Sequence, residues 1–276
     1  MKKILALLLA VLMLVVCMFT GCGNNEQTGT DDSWTKVETA GKFILGLDDS
    51  FPPMGYRDTT TGEIVGFDID LAQEVCDRLG IELVKQPIDW DSNLMELDSG
   101  NIDCIWNGLT KTTSRDENMN LSIPYMNNTQ VILVLQNSTY NSREDLAGKT
   151  VAVQSGSSGE NAVNDDKEFK ASLKEVIGTA NYTNALAELK NGTVDAIVLD
   201  EVVAQRFISD NANTYRLIQK DGADDFLTQE EYVIGFRKAD EALKNKIVDT
   251  LKEMKADGTL AEISTKWFGG DITTID

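Results

Sequence analysis

Short apolar runs alternate with longer stretches of helical periodicity along most of the chain. An apolar run of strand length predicts a buried strand, and apolar residues three and four positions apart predict an amphipathic helix. Glycines and polar clusters between these segments indicate turns. The alternation predicts an α/β fold. Predicted strands lie at 42–47, 81–86, 102–106, 130–135, 215–218 and 231–236, and predicted helices lie at 68–79, 93–97, 201–208, 241–255 and 260–267.

One helix-and-strand unit occurs twice. The pattern at 94–105 recurs at 186–197, so that matching residues are 92 positions apart. Each copy predicts a helix, a stop at Gly100 or Gly192 and a buried strand. Because one copy is too small to form a single core for the whole chain, the repeat predicts two lobes of like construction. The matching pairs are Leu94/Leu186, Glu96/Glu188, Leu97/Leu189, Gly100/Gly192, Asp103/Asp195 and Ile105/Ile197.

The two copies of the strand lead to charged residues of opposite sign. The first strand continues into a polar loop, 107–115, with hydroxyls, backbone N–H groups and the guanidinium of Arg115, whose planar fork matches a carboxylate. Strand ends of this kind hold ligands in open α/β sheets. The second strand leads into Asp200. A cation and an anion at paired strand ends suit a zwitterion in a cleft; for Arg115 alone, the alternative is a solvated helix start.

The first 21 residues have the pattern of an export signal. Lys2 and Lys3 precede an apolar run, 4–19, that is too short to span a membrane. Small residues then precede Cys22, which resembles the acylated cysteine of bacterial lipoproteins, and acyl chains would hold the protein to a membrane. The polar, glycine-containing stretch 22–35 predicts a flexible tether.

Composition narrows the chemistry that the chain can perform. The formal net charge is −20, so nucleic acid and anionic lipid are poor partners. The chain has no histidine, which removes the usual metal ligand and the usual general base. No metal, cofactor or catalytic residue is therefore expected. Beyond the signal, Cys76 and Cys104 occupy apolar positions and predict buried free thiols rather than a metal or redox site.

Two further loops follow predicted strands. Residues 48–53 combine two acids, Phe51 and two prolines, which predicts a rigid turn at a sheet edge. Residues 154–159 are rich in Gly and Ser and precede a predicted helix, an arrangement typical of an anion-binding nest. A phosphate is the weaker interpretation there, because the loop lacks the Lys-Ser/Thr ending of a nucleotide-binding loop.

The run at 66–80 carries a family resemblance. Physically it predicts an amphipathic helix capped by Asp68 and ended by Gly80. Its sequence, GFDIDLAQEVCDRLG, resembles the signature of the bacterial extracellular solute-binding proteins that serve polar amino-acid uptake, and the resemblance extends over 43–268. It implies a two-lobed α/β fold of the type II periplasmic-binding-protein kind. Each lobe would be a mixed sheet flanked by helices, and two hinge crossings would join the lobes.

The resemblance and the element order together predict the domain limits. The signal peptide covers 1–21 and the tether covers 22–35. The first lobe comprises 36–128 and 229–276, the second lobe comprises 129–222, and the second hinge region is 223–228.

By resemblance, the zwitterion is an amino acid. Arg115 would bind its α-carboxylate with help from Thr110, and Asp200 would accept its α-ammonium beside the Gly108 carbonyl. The other implied pocket residues are Ser157 and Ser158 on the carboxylate side, Phe51 and Trp90 around the side chain, and Asp48, Asn107 and Gln154 at its end.

The side-chain end of this pocket predicts the class of ligand. A carboxylate at Asp48 disfavours glutamate and aspartate, because two carboxylates would face each other in a water-poor cleft. Aromatic walls suit a guanidinium by cation–π contact, and also an amide or a disulfide. Basic amino acids or glutamine are therefore expected ahead of cystine.

The resemblance implies a monomeric lipoprotein that binds a polar amino acid outside the cytoplasm and delivers it to an ABC permease and its ATPase. Two alternatives stay open. A few relatives of this fold are dehydratases, for which Asp48 or Asp49 would have to transfer protons. A module that binds the same ligand but reports to a receptor is the other alternative.

Overall fold

The computed structural model describes residues 31–211, 213–220 and 223–276. The predicted signal peptide, Cys22 and the tether as far as residue 30 lie outside the described residues. The tether prediction to residue 35 is too long, because the first described helix begins at Ser33. The Ser33 hydroxyl accepts a hydrogen bond of 3.0 Å from the Leu243 backbone N–H, a contact 210 positions away that local composition does not reveal.

Helices and strands alternate through the described chain. The helices are α1 (Ser33–Ala40), α2 (Phe67–Leu79), α3 (Asn93–Asp98), α4 (Thr113–Asn118), α5 (Ser158–Asp165), α6 (Lys167–Ser172), α7 (Tyr182–Asn191), α8 (Glu201–Asp210), α9 (Glu241–Asp257) and α10 (Thr259–Phe268). The strands are β1 (Lys42–Leu47), β2 (Ser50–Phe51), β3 (Gly55–Arg57), β4 (Ile64–Val65), β5 (Glu82–Pro87), β6 (Cys104–Thr110), β7 (Met119–Leu121), β8 (Met126–Leu135), β9 (Thr150–Gln154), β10 (Glu175–Thr179), β11 (Ala196–Asp200), β12 (Tyr215–Leu217), β13 (Gln219–Lys220), β14 (Ala223–Asp224) and β15 (Phe226–Arg237).

The main sheet has the strand order β10-β9-β11-β8-β15-β6-β1-β5. At one side β1 pairs in parallel with β5 and β6, and at the other β9 pairs in parallel with β10 and β11. The central strands β8 and β15 are antiparallel to each other and belong to both sides. The chain therefore forms two lobes, a first around β1 and β6 and a second around β9 and β11, joined by two adjacent strands.

Strand β15 carries the chain from the second lobe back to the first. It begins beside β8, where Phe226 lies opposite Val131, and continues beside β6, where Tyr232 lies opposite Thr110. The prediction that a strand at 231–236 returns to the first lobe is confirmed, but the strand starts at Phe226. Residues 226–228, predicted as hinge, are part of it because they pair with β8.

The repeat prediction is confirmed in both copies. Helices α3 and α7 are followed by Gly100 (φ +78°) and Gly192 (φ +75°), a left-handed backbone that favours glycine, and then by the strands β6 and β11. Every residue of both strands is buried. The prediction of buried free thiols is also confirmed for Cys76 and Cys104.

Two local predictions are wrong. Helix α2 begins at Phe67, and the Asp68 side chain does not cap it but accepts hydrogen bonds from the Gly108 N–H and the Tyr125 hydroxyl. The strand after the first repeat does not end at Trp106 but extends to Thr110, because its last residues pair with β15. Within the described ranges, every helix is too short or too polar to cross a membrane.

Candidate ligand-binding cleft

The carboxyl ends of the parallel strands of the two lobes meet at one cleft. Gln154, at the end of β9, donates a hydrogen bond of 2.7 Å to Asp48, which follows β1. The hydroxyls of Thr110 in the first lobe and Ser158 in the second are 3.1 Å apart. The lobes are thus closed on each other. Two further contacts join them: the rings of Phe51 and Tyr182 have centroids 5.8 Å apart, and the Arg206 guanidinium lies 5.5 Å from the centroid of Tyr56.

Arg115 lies in the first turn of α4, as the helix-start alternative supposed, but it is buried rather than solvated. Its guanidinium donates to the Thr110 carbonyl at 2.8 Å and to the Gly156 carbonyl of the second lobe at 3.3 Å, and it lies 6.0 Å from the centroid of Trp90. Burial lowers the pKa of Arg115 to about 10, against the opposing effect of Glu230 and Asp200. The residue therefore keeps a positive charge at neutral pH inside the cleft.

Asp200 ends β11, is buried, and is near enough to Arg115 to interact with its charge. One carboxylate oxygen, Oδ1, accepts hydrogen bonds from the side chains of Asn128 (2.5 Å), Gln130 (2.9 Å) and Tyr232 (2.8 Å). Burial, and then the neighbouring Glu230, raise the pKa of Asp200 to about 7. A cation placed beside this carboxylate would be attracted strongly, because the surroundings are poor in water.

Glu230, a residue that sequence reasoning missed, reaches the same place from β15. Its Oε2 accepts from the hydroxyls of Thr110 (2.9 Å) and Ser158 (3.2 Å) and from the amides of Asn128 (3.1 Å) and Gln130 (3.0 Å). Residue 230 lies between the predicted second hinge region, 223–228, and the predicted strand, 231–236, so neither prediction singles it out. The available signal is the alternation of a strand, which puts residue 230 on the same face as the buried Tyr232.

Asp48 marks the other end of the cleft and is nearly fully buried. Its Oδ1 accepts from the Ser50 backbone N–H at 2.9 Å and hydroxyl at 2.6 Å, and its Oδ2 accepts from Gln154. Burial raises the pKa of Asp48 above its usual value. Asn107 accepts from the Asp48 backbone N–H at 3.0 Å, so it orients this loop.

Gly108 shapes the floor of the cleft. Its φ of +60° favours glycine, and a Cβ there would lie 2.8 Å from the Phe51 ring. Its N–H donates to the buried Asp68 at 2.8 Å, which holds the strand end in this conformation. The Phe51 ring packs on Tyr182 of α7. Sequence reasoning missed Tyr182 because it precedes the repeated pattern.

Several hydrogen-bonding groups of the Gly/Ser loop in the second lobe bind Glu160 of the following helix rather than facing the cleft. The Ser157 hydroxyl caps α5 by accepting from the Glu160 N–H at 3.1 Å, and the Gly156 N–H donates to the Glu160 carboxylate at 2.8 Å. The loop therefore binds its own carboxylate where an anion-binding nest was expected. Ser158 is the hydroxyl of this loop that contacts Thr110 and Glu230.

The arrangement as a whole suits a small zwitterion. The cleft brings together a buried cation, Arg115, a buried carboxylate, Asp200, and a half-buried carboxylate, Glu230, groups that can pair with a carboxylate and an ammonium group. Arg115 lies in α4, which follows β6 of the first lobe, Asp200 ends β11 of the second lobe, and Glu230 lies on β15, which joins the lobes. Closure of the lobes therefore assembles the site, a hinge motion known from ligand-binding domains.

The family model of the bacterial extracellular solute-binding proteins, family 3, matches residues 43–270. The chain belongs to this family. Its fold is the type II periplasmic-binding-protein fold, and the resemblance drawn from residues 66–80 is confirmed. The family match also supports a binding protein over the dehydratase alternative.

Individual relatives match nearly the whole chain. The L-cystine-binding protein TcyJ of Escherichia coli (strain K12) is 28% identical over 95% of this chain and 96% of its own length. An ABC uptake transporter substrate-binding protein from Streptococcus pneumoniae, solved with bound histidine, is 36% identical with a TM-score of 0.83, covering 90% of this chain and all of that one. Tv2483, solved with L-arginine, is 31% identical with a TM-score of 0.83, covering 89% and 98%.

Proposed function

We propose that this protein captures a basic amino acid outside the cytoplasm and delivers it to the permease of an ABC transporter. The observation that carries the ligand class is the charge balance of the cleft. Three carboxylates, of Asp48, Asp200 and Glu230, are placed there with one guanidinium, that of Arg115. A ligand with a neutral side chain adds no net charge to the cleft, whereas a ligand with a positive side chain offsets part of its excess negative charge. The relatives solved with arginine and with histidine support this choice.

The α-groups and the side chain of the ligand would use different parts of the cleft. Arg115 would bind the α-carboxylate together with the hydroxyls of Thr110 and Ser158, and Asp200 would bind the α-ammonium. Asp48 would accept hydrogen bonds from the cationic tip, because a carboxylate can accept about four. Phe51 and Trp90 would contact the apolar part of the ligand side chain.

A thermal-shift screen tests the ligand class. With arginine, ornithine, lysine, histidine, glutamine, cystine and glutamate at equal concentration, we expect the largest rise in melting temperature with a basic amino acid, because a ligand that binds only the folded state stabilises it by mass action. At a hundred times the dissociation constant the gain is about 2.7 kcal/mol. Asp48→Asn should reduce the preference for arginine over glutamine. A largest shift with glutamate would contradict the assignment.

We propose that acyl chains on Cys22 anchor the protein to the outer face of the cell membrane. This proposal rests on the sequence alone, because Cys22 lies outside the described residues. Replacing Cys22 with Ser is expected to move the protein from the membrane fraction to the soluble extracytoplasmic fraction, since two or three acyl chains would otherwise hold it. An unchanged membrane fraction would contradict the anchor and leave ligand binding unaffected.

A further inference from the structure

Glu230 is the charged cleft residue carried by the strands that join the lobes. It lies on β15 directly opposite Asn128 of β8, in the segment where both strands cross between lobes. From there its carboxylate reaches Thr110 in the first lobe and Ser158 in the second. A single side chain thus contacts both lobes and the neighbouring crossing strand.

Two side-chain amides hold Glu230 beside Asp200. The amide nitrogen of Asn128 donates to Asp200 Oδ1 and to Glu230 Oε2, and the amide nitrogen of Gln130 donates to the same two oxygens. Two carboxylates that share donors repel each other, and neutral amides offset this only in part. The raised pKa of Asp200, caused by burial first and Glu230 second, agrees with that repulsion.

Among the described residues, no Lys or Arg forms a direct ion pair with either of these two carboxylates. The Arg115 guanidinium donates its hydrogen bonds to the carbonyls of Thr110 and Gly156, and its charge acts on Glu230 and Asp200 only from beyond ion-pair distance. Lys111, the other cation near the end of β6, pairs at 3.8 Å with Glu231, on the half-exposed side of β15. The two carboxylates are therefore arranged to receive a cation from outside the protein.

We infer that Glu230 is a second acceptor for the α-ammonium group of the ligand, acting with Asp200 as a two-carboxylate receptor. This rests on the proposed function, since it takes an amino acid as the ligand. An ammonium group has three N–H donors, and Asp200, Glu230 and the Gly108 carbonyl would receive one each. Because Glu230 is on the hinge strand and contacts both lobes, this contact forms as the lobes close, so recognition of the ammonium favours closure.

The test compares two ligands that differ only in the α-ammonium group. L-Arginine and 5-guanidinopentanoate share the guanidinium and the α-carboxylate, so any effect of Glu230 on the side-chain charge cancels between them. Calorimetry with both is done on wild type, Glu230→Gln and the matched control Glu231→Gln. Glu230→Gln is expected to weaken the binding of L-arginine about tenfold, the effect of losing a hydrogen bond to a charged group. Its effect on 5-guanidinopentanoate should stay below about threefold.

The control and a conservative variant sharpen the result. Glu231→Gln should leave both affinities unchanged, because Glu231 faces Lys111 outside the cleft. Glu230→Asp, which keeps the charge, should recover part of the preference for the α-ammonium group, which a purely structural role would not explain.

Each other outcome overturns the inference in a recognisable way. Equal weakening of both ligands by Glu230→Gln would show a structural role. Tighter binding of both would show that Glu230 competes with the ligand carboxylate for Thr110 and Ser158. If wild type gives no heat with L-arginine, L-histidine or L-glutamine, both the proposed function and this inference are contradicted. If wild type binds but Glu230→Gln keeps the same preference for L-arginine over 5-guanidinopentanoate, the inference alone is contradicted.

Discussion

Replacing Arg115 with Ala is expected to abolish measurable amino-acid binding. The guanidinium is buried between the lobes, and in the complex it would pair with the α-carboxylate in a bidentate manner. Removing one partner of a buried charge pair costs about 3–5 kcal/mol, because the other charge is left uncompensated. A micromolar ligand, bound with about −8 kcal/mol, would then need near-millimolar concentration. Calorimetry with the best ligand of the thermal-shift screen measures the loss.

Two variants separate binding from folding in this experiment. Arg115→Lys keeps the charge but not the planar fork, so an intermediate affinity is expected. Arg57→Ala removes a half-exposed arginine that pairs with Asp49 at 2.5 Å, and it should bind as wild type because surface ion pairs contribute about 0–1 kcal/mol. If Arg115→Ala binds within threefold of wild type, Arg115 does not bind the carboxylate.

The positions of Arg115 and Asp200 in the candidate cleft could be predicted because the signals are local. A helix, a glycine stop and a buried strand are each encoded within about a dozen residues, so the repeat could be recognised without knowledge of the fold. Parallel strands in one lobe present their carboxyl ends at one edge, which brings Asp200, at the end of β11, and Arg115, in the helix that follows β6, to the cleft. The structure puts both residues in the cleft for that reason.

The residues that prediction missed depend on pairing between distant segments. Asn128 and Glu230 are 102 positions apart and meet only because β8 and β15 form adjacent strands. Strand alternation puts Glu230 on the same face as Tyr232, but neither segment alone shows that this face turns towards the cleft, since a one-residue change of register would reverse the faces. The wrong prediction for Asp68 has the same cause. Its local pattern predicts a helix cap, but β6 brings the Gly108 N–H to it from 40 positions away.

Asp200→Asn is expected to weaken binding of L-arginine by about 10- to 100-fold, the value of a hydrogen bond to a charged group. The variant keeps the shape of the side chain, so Asn128, Gln130 and Tyr232 can still contact it. What is lost is the negative charge opposite the α-ammonium. Calorimetry at pH 8 gives the affinity of both proteins, and a Kd within threefold of wild type would show that the ammonium binds elsewhere.

The pH dependence of binding gives a stricter test of the same residue. The pKa of Asp200 is about 7, and a bound ammonium favours the charged carboxylate, so the pKa falls in the complex and binding releases a proton below pH 7. The affinity of wild type for L-arginine should therefore rise with pH, by at most about tenfold per unit, and level off above 7. Arginine is the suitable probe because its side chain keeps its charge throughout this range.

Asp68 provides the internal control for that proton. Its pKa is also about 7, raised by complete burial, but its carboxylate contacts Gly108 and Tyr125 beneath the cleft. Binding should leave its protonation unchanged, since the ligand would approach Asp200 instead. Calorimetry at pH 6 in two buffers of different ionisation enthalpy counts the protons released. Asp200→Asn should reduce the release to the part contributed by Asp48, whose pKa is also raised by burial, and Asp68→Asn should preserve it in full. The opposite pattern would mean that ligand binding reorganises β6 rather than neutralising a charge at Asp200.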